Sequence, residues 1–193
     1  MKQYLIISNQ KVNEKIDLDS KIIESKSNIN FILDYIKQND KTLNFNNIKL
    51  LFRGSRDGDR TKTCHELCDN KQNVLIIMKS ETGYIFGGYS KVGFKVNNNL
   101  SYKIDNNCFL FSLNLKKIYP VINDKQVICH IRVNVGLCFY DCLAFYDYFM
   151  SKKKSYNIRS NIKEYFNGLE NKYEMNGGQN DFKYQELEVF QLL

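Results

Sequence analysis

The sequence predicts an α+β fold: a two-sheet antiparallel β-sandwich flanked by helices. Three observations lead there. Short apolar runs separated by turn residues recur along the chain, as in a succession of antiparallel strands. Segments with helical spacing are few and lie mostly toward the start, which favours packed sheets with helices outside them. Finally, 193 residues with one proline, Pro120, no Gly/Ser linker and no internal repeat read as one domain. Residues 1–47 form a lead-in of strand and helix, and residues 48–193 the core.

Tyr4 to Ile7 reads as a short strand. Phe31, Ile32, Tyr35 and Ile36 share one helical face, with Ser27 or Asn28 as cap and an end near Lys37. Ile48 to Phe52 is a strand leading into the turn Arg53-Gly54-Ser55-Arg56-Asp57-Gly58. Thr61 to Cys68 is a short helix in which Thr63 and Glu66 have capping-box spacing. Cys64, Leu67 and Cys68 fall on one face of it. Val74 to Met78 is a buried strand, Glu81-Thr82-Gly83 a hairpin turn, and Tyr84 to Tyr89 the return strand. Within that strand the pair Gly87-Gly88 signals a bulge or a close backbone approach. Further strands are expected at Gly93 to Val96, Cys108 to Leu113 and Val127 to Val133. Leu137 to Met150 is apolar without a clear period, and Ile158 to Phe166 reads as helix. Phe182 to Leu192 closes the chain as a strand with two unlike faces, one carrying Glu186 and Glu188.

Composition narrows the function classes. The net charge is +7, but the lysines are scattered and the one dense run is Lys152-Lys153-Lys154. A nucleic-acid interface would show a clustered basic face, so nucleic acid is not the expected partner. No secretory leader or membrane-spanning stretch is visible, so neither secretion nor membrane insertion is expected. The expected location is the cytoplasm, where the six cysteines stay free thiols.

Several residue groups could carry chemistry. A thiolate at Cys64 or Cys68 could react with peroxide, given Arg60 and Lys62 nearby. The face shared with Leu67 argues instead for two buried, inert thiols. Joining them to Cys138 and Cys142 would make a four-thiolate zinc site, but neither pair has knuckle spacing, and no metal or other cofactor is expected. His65 and His130 are the two histidines. Cys129 and His130, adjacent in a strand, point to opposite faces and make no dyad. Around the turn, Gly54, Asp57 and Gly58 read as structural, whereas Arg53 and Arg56 are candidates for contacting a partner. Glu186 and Glu188 are paired carboxylates. They could run acid–base chemistry, hold a hard cation or meet a partner, but the expected setting is a solvated face or weak salt bridges to the lysine excess. Gly87, Gly88 and Tyr89 are assigned to packing.

The residues quoted above also carry a resemblance. Leu50 to Gly58, then Cys64 to Asp69, Val74 to Ser80 and Gly83 to Tyr89 resemble, in order, the motifs of the TLDc domain family. Phe109 to Leu113 and the stretch from Gly177 through Phe190 extend the match over most of the chain. One segment departs: the family's Phe-Gly-x-Asp-Leu stands here as Phe139-Tyr140-Asp141-Cys142-Leu143. The resemblance implies the two-sheet sandwich. It also implies a role that is not enzymatic: binding a protein partner, among them the vacuolar-type proton ATPase, with a link to protection from oxidative stress. It supplies no catalytic residue. The competing expectations are a thiol-dependent peroxide sensor and a structural part of a cytoskeletal or ciliary assembly.

Overall fold

The computed structural model describes residues 18–97, 99, 101–130, 133–139, 143–151, 162–171, 173–179 and 182–193. The first expected strand, Tyr4 to Ile7, lies outside them. Two antiparallel sheets form the frame, one of six strands and one of three.

Helix α1 runs Lys26–Asn39 and is capped by Ser25, whose side chain accepts from the Ser27 N–H. The cap thus stands two residues before the expected Ser27, because the extended backbone of Ser25 leaves its oxygen free to turn back. Ile29, Ile32, Leu33 and Ile36 form the buried stripe, and they rest on one face of the larger sheet with Leu75, Ile77, Phe109, Phe111 and Phe190.

That sheet contains β1 (Ile48–Arg53), β2 (Val74–Ser80), β3 (Ile85–Ser90), β5 (Phe109–Ser112), β6 (Lys117–Pro120) and β9 (Tyr184–Leu192). Its spatial order is β1-β9-β2-β3-β5-β6. The last strand is therefore inserted between β1 and β2, pairing with both. Its sequence permits this: alternate residues supply Leu187 and Val189 to one apolar core and Phe190 and Leu192 to the other. A strand apolar on both faces belongs inside a sheet.

The second sheet holds β4 (Ser101–Ile104), β7 (Gln126–His130) and β8 (Cys138–Phe139), in the order β4-β7-β8. It packs on the other face of the larger sheet through Phe139, whose ring sits against Gly88. Between the strands, α2 (Gly54–Asp57) is a single helical turn and α3 spans Thr61–Cys68.

Several expectations need correction. Gly93 to Val96 is irregular, because Lys71, Asn70 and Asp69 draw its backbone away from any ladder. Strands β4 and β6 carry too little alternation to be read in advance. Residues 158–161 lie outside the described set, and Ile162–Glu164 is one 3₁₀ turn. Among the described residues of the apolar stretch Leu137 to Met150, Cys138–Phe139 alone is strand. Phe139 and Leu143 bridge each other by backbone hydrogen bonds, and residues 140–142 of that divergent motif are outside the described residues.

The core between the sheets is aromatic. Tyr184 packs edge-on against Phe149 and Phe182, and near Phe86, with ring centroids 5.1–6.3 Å apart. Its buried hydroxyl finds no partner among the described residues, and burial pushes its pKa well up. A desolvated, unpaired hydroxyl opposes folding. Tyr184→Phe is therefore expected to leave stability unchanged or raise it by about 1 kcal/mol, read from urea denaturation. A loss of similar size would mean that the hydroxyl has a partner.

Candidate functional site

The most polar part of the interior lies where β1 hands the chain to α2. Arg53 ends β1 opposite Glu188 of β9. Its Nε donates to Glu188 Oε1 at 2.8 Å, and its Nη2 donates to the backbone oxygen and Oδ1 of Asp19 at 2.7 and 2.8 Å. Glu188 is fully buried, and it also accepts from the Ser20 hydroxyl at 2.5 Å and the Lys21 N–H at 2.8 Å. Ser20 Oγ in turn accepts from the N–H groups of Ile22 and Ile23. Residues 19–23 thus form a strap whose polar side closes over the Arg53–Glu188 pair, while Ile22 enters the core under α1. The opposite charges and hydrogen bonds to Asp19 and Glu188 raise the Arg53 pKa further despite burial, which acts the other way and is the largest single influence.

Glu186, two residues earlier on β9, accepts from the backbone N–H of Ser55 at 3.0 Å. Gly54 leaves room for this approach: a Cβ there would meet Met150 Sδ at 2.7 Å and Glu186 Oε1 at 3.1 Å. The two carboxylates are therefore tied into the fold. The solvated face expected for Glu186 and Glu188 is corrected, because the strap and α2 cover it. Arg53, expected at a surface, is also corrected: it is 7% exposed. Of the four residues considered for partner contact, Arg56 alone has an open side chain, at 47%.

Arg56 and Asp57 form a bidentate pair, Nε to Oδ1 at 2.8 Å and Nη2 to Oδ2 at 2.7 Å. Arg56 Nη2 also donates to the Leu51 carbonyl, and Asp57 Oδ2 accepts from the Arg53 N–H. The Arg56 hydrogen bond is the first cause holding the Asp57 carboxyl below its ordinary value, with burial opposing it. The contribution of Asp57 to stability is thus present at neutral pH and is lost as pH falls through that lowered value. Gly58 follows with φ 88° and ψ 175°, a conformation almost confined to glycine.

Helix α3 presents Thr61, Cys64, His65 and Cys68 inward. Leu67, expected beside the cysteines, is 38% exposed, since the docked face is centred one residue position further round the helix. The expected capping box at Thr63 and Glu66 is not used, because Thr63 lies inside the helix. Asp147, distant in sequence, accepts from the Thr61 N–H at 2.9 Å and from its hydroxyl at 2.8 Å. No local spacing signals this cap.

The sulfurs of Cys64 and Cys68 are 4.0 Å apart and fully buried. Burial pushes the Cys64 thiol well up, and hydrogen bonding to Cys68 adds to it. Both thiols lack the access that peroxide chemistry requires, and the raised Cys64 also lacks thiolate character. Native protein should leave Cys64 and Cys68 unmodified by a thiol reagent that labels them after denaturation, as mass spectrometry of the peptides can check. His65 is turned away from them: Nε2 donates to the Val135 carbonyl at 2.7 Å and Nδ1 lies 2.7 Å from Asp69 Oδ1. Asp69 Oδ2 accepts from the Val96 N–H. Among the described residues no group of three or more His, Cys, Asp or Glu is placed to hold a metal ion. Cys138 is buried in a separate small cluster with Ala144. Cys142, and the side chains of Cys129 and His130, lie outside the described residues.

Outside the clamp formed by Arg53, Glu188 and the strap, α3 and residues 96 and 133 border an open groove lined by Lys62, His65, Glu66, Asp69, Asn70, Val96 and Val133. Beside it, Arg60 lies over the Tyr148 ring at 4.6 Å. Tyr148 has φ 67° and is 37% exposed.

Fold and clamp together define a helix-flanked two-sheet sandwich whose final strand is locked to its first by a buried ion pair. A family model for the TLDc domain matches residues 18–193, so the chain belongs to the TLDc domain family. A comparison with curated proteins finds no match.

Proposed function

We propose that this domain works by holding a protein partner and performs no catalysis of its own. The partner we favour is a vacuolar-type proton ATPase or another large assembly in the cytoplasm, with protection from oxidative stress as the consequence. Family membership supports a domain of this type. The observation that carries the reading is how the reactive groups are used. Glu186 and Glu188 accept hydrogen bonds that join β9 to the strap and to α2, and Cys64 and Cys68 are sealed under α3.

The face we assign to the partner is the outer side of α3 with its rim: Lys62, Glu66, Leu67, Val133, Arg60 and Tyr148. It combines the exposed apolar side chains Leu67 and Val133 with an arginine–tyrosine stack, and arginine and tyrosine are among the residues enriched at interface hot spots. Among the described residues no helix is long and apolar enough to cross a membrane.

The test is capture from native extract with the tagged domain, identifying the main co-purifying complex. Leu67→Asp is expected to reduce capture at least about tenfold, corresponding to the loss of one interface anchor, while leaving the thermal midpoint nearly unchanged. A folded variant with all cysteines replaced by serine should still capture the partner. If capture fails only in that variant, the thiol reading takes its place.

A further inference from the structure

Strand β1 is an edge of the six-stranded sheet: β9 pairs with one side of it and no described strand with the other. An apolar edge is a template for pairing with another chain. The sequence of β1, Ile48-Lys49-Leu50-Leu51-Phe52-Arg53, has few internal breaks against such pairing. Yet two of its backbone groups are occupied in an unusual way. The Leu51 carbonyl, which lies at the register shift between Leu50 and Phe52, accepts from Arg56 Nη2 at 3.0 Å. The Arg53 N–H donates to Asp57 Oδ2 at 2.9 Å. A donor thus meets the carbonyl and an acceptor meets the amide, the pattern that a neighbouring strand's backbone would offer.

We propose that the Arg56–Asp57 pair is an edge guard, occupying these groups so that a second copy of the chain cannot pair with β1. The occupant excluded is a second copy because antiparallel pairing of one strand with its own image is self-complementary. The same contacts form on both sides, as a two-fold interface requires. The geometry fits a guard better than a docking pair. The two side chains are held to each other by two charged hydrogen bonds, 2.7 and 2.8 Å long, and the turn that carries them is tied down by the bond from the Ser55 N–H to Glu186. Although the Arg56 side chain is open to solvent, its Nε and Nη2 are already engaged. This role is separate from the proposed partner face on α3.

The test is light scattering on size-exclusion chromatography of the whole chain over a wide concentration range, with wild type, Arg56→Ala and Asp57→Asn compared. Asp57→Asn keeps the shape of the side chain and an acceptor for the Arg53 N–H, so it guards against a variant that merely fails to fold. Near-UV circular dichroism confirms native packing in each. Wild type is expected to stay monomeric where Arg56→Ala dimerises, with self-association tightened by about tenfold or more because the guard is displaced twice per dimer. Asp57→Asn should fall between them. In the dimer, hydrogen exchange must slow across residues 48–53. Folded variants that stay monomeric overturn the proposal, as do dimers whose added protection lies elsewhere. Capture of the partner by a folded Arg56→Ala monomer should persist, which keeps a failure here distinct from a failure of the α3 face.

Discussion

Glu188→Ala is expected to destabilise the domain by about 3–5 kcal/mol, the range for removing one partner of a buried ion pair. The physical reason is what remains. Arg53 would keep its charge inside the fold with only Asp19, whose side chain is 73% exposed, to receive it. The Ser20 hydroxyl and the Lys21 N–H would lose their acceptor as well, and each unpaired buried donor adds to the loss. Urea denaturation of Glu188→Ala and Arg53→Ala should show both singly destabilised, with the double variant well short of their sum. Replacement of the pair by Met and Leu should recover much of the stability, since apolar substitutes avoid the desolvation of two charges. A Glu188→Ala variant as stable as wild type would show that the clamp does not hold β1, β9 and the strap together.

Gly87→Ala should be nearly as severe, at about 3 kcal/mol or more, the upper end for a side chain forced into a packed site. A Cβ at Gly87 would overlap the backbone carbonyl of Ile76 on β2 and meet the Phe111 ring at 2.9 Å. Backbone in the middle of a six-stranded sheet cannot retreat without breaking the ladder between β2 and β3. Gly88→Ala meets side chains instead, Phe139 at 2.7 Å and Leu110 at 2.9 Å, so it should separate the two sheets rather than the strands. Gly58→Ala provides the contrast. It meets no atom within 4 Å, and its penalty is backbone strain of about 1–3 kcal/mol. Thermal unfolding of the three variants should rank Gly87→Ala lowest; an unchanged midpoint for it would contradict the sheet register.

These two predictions rest on residues that the sequence marks but does not place. The Gly87-Gly88 pair stands out inside a strand, and a close approach is the natural reading, yet only the register of β2 with β3 and the packing of β8 on the larger sheet show that Ile76 and Phe139 make it necessary. Arg53 and Glu188 are 135 residues apart. Nothing local links them, so an arginine in a polar turn read as surface and a glutamate on an alternating strand read as solvated. A separation of 86 residues likewise hid Asp147 as the cap of α3.

What the sequence alone determined is the part governed by near neighbours and by total hydrophobicity: the sandwich class, α1, β1, α3, the hairpin β2–β3, β5, β7 and the closing strand. Periodicity over four to ten residues reports which faces are apolar, and that suffices for element type. What only the tertiary structure decided is which polar residues are inside. The insertion of β9 between β1 and β2 brings Glu188 against Arg53, and the strap then excludes water from both. The same insertion leaves β1 at the edge, where Arg56 and Asp57 turn back onto it. Burial of a charge depends on what covers it, and here the covering residues come from the opposite end of the chain.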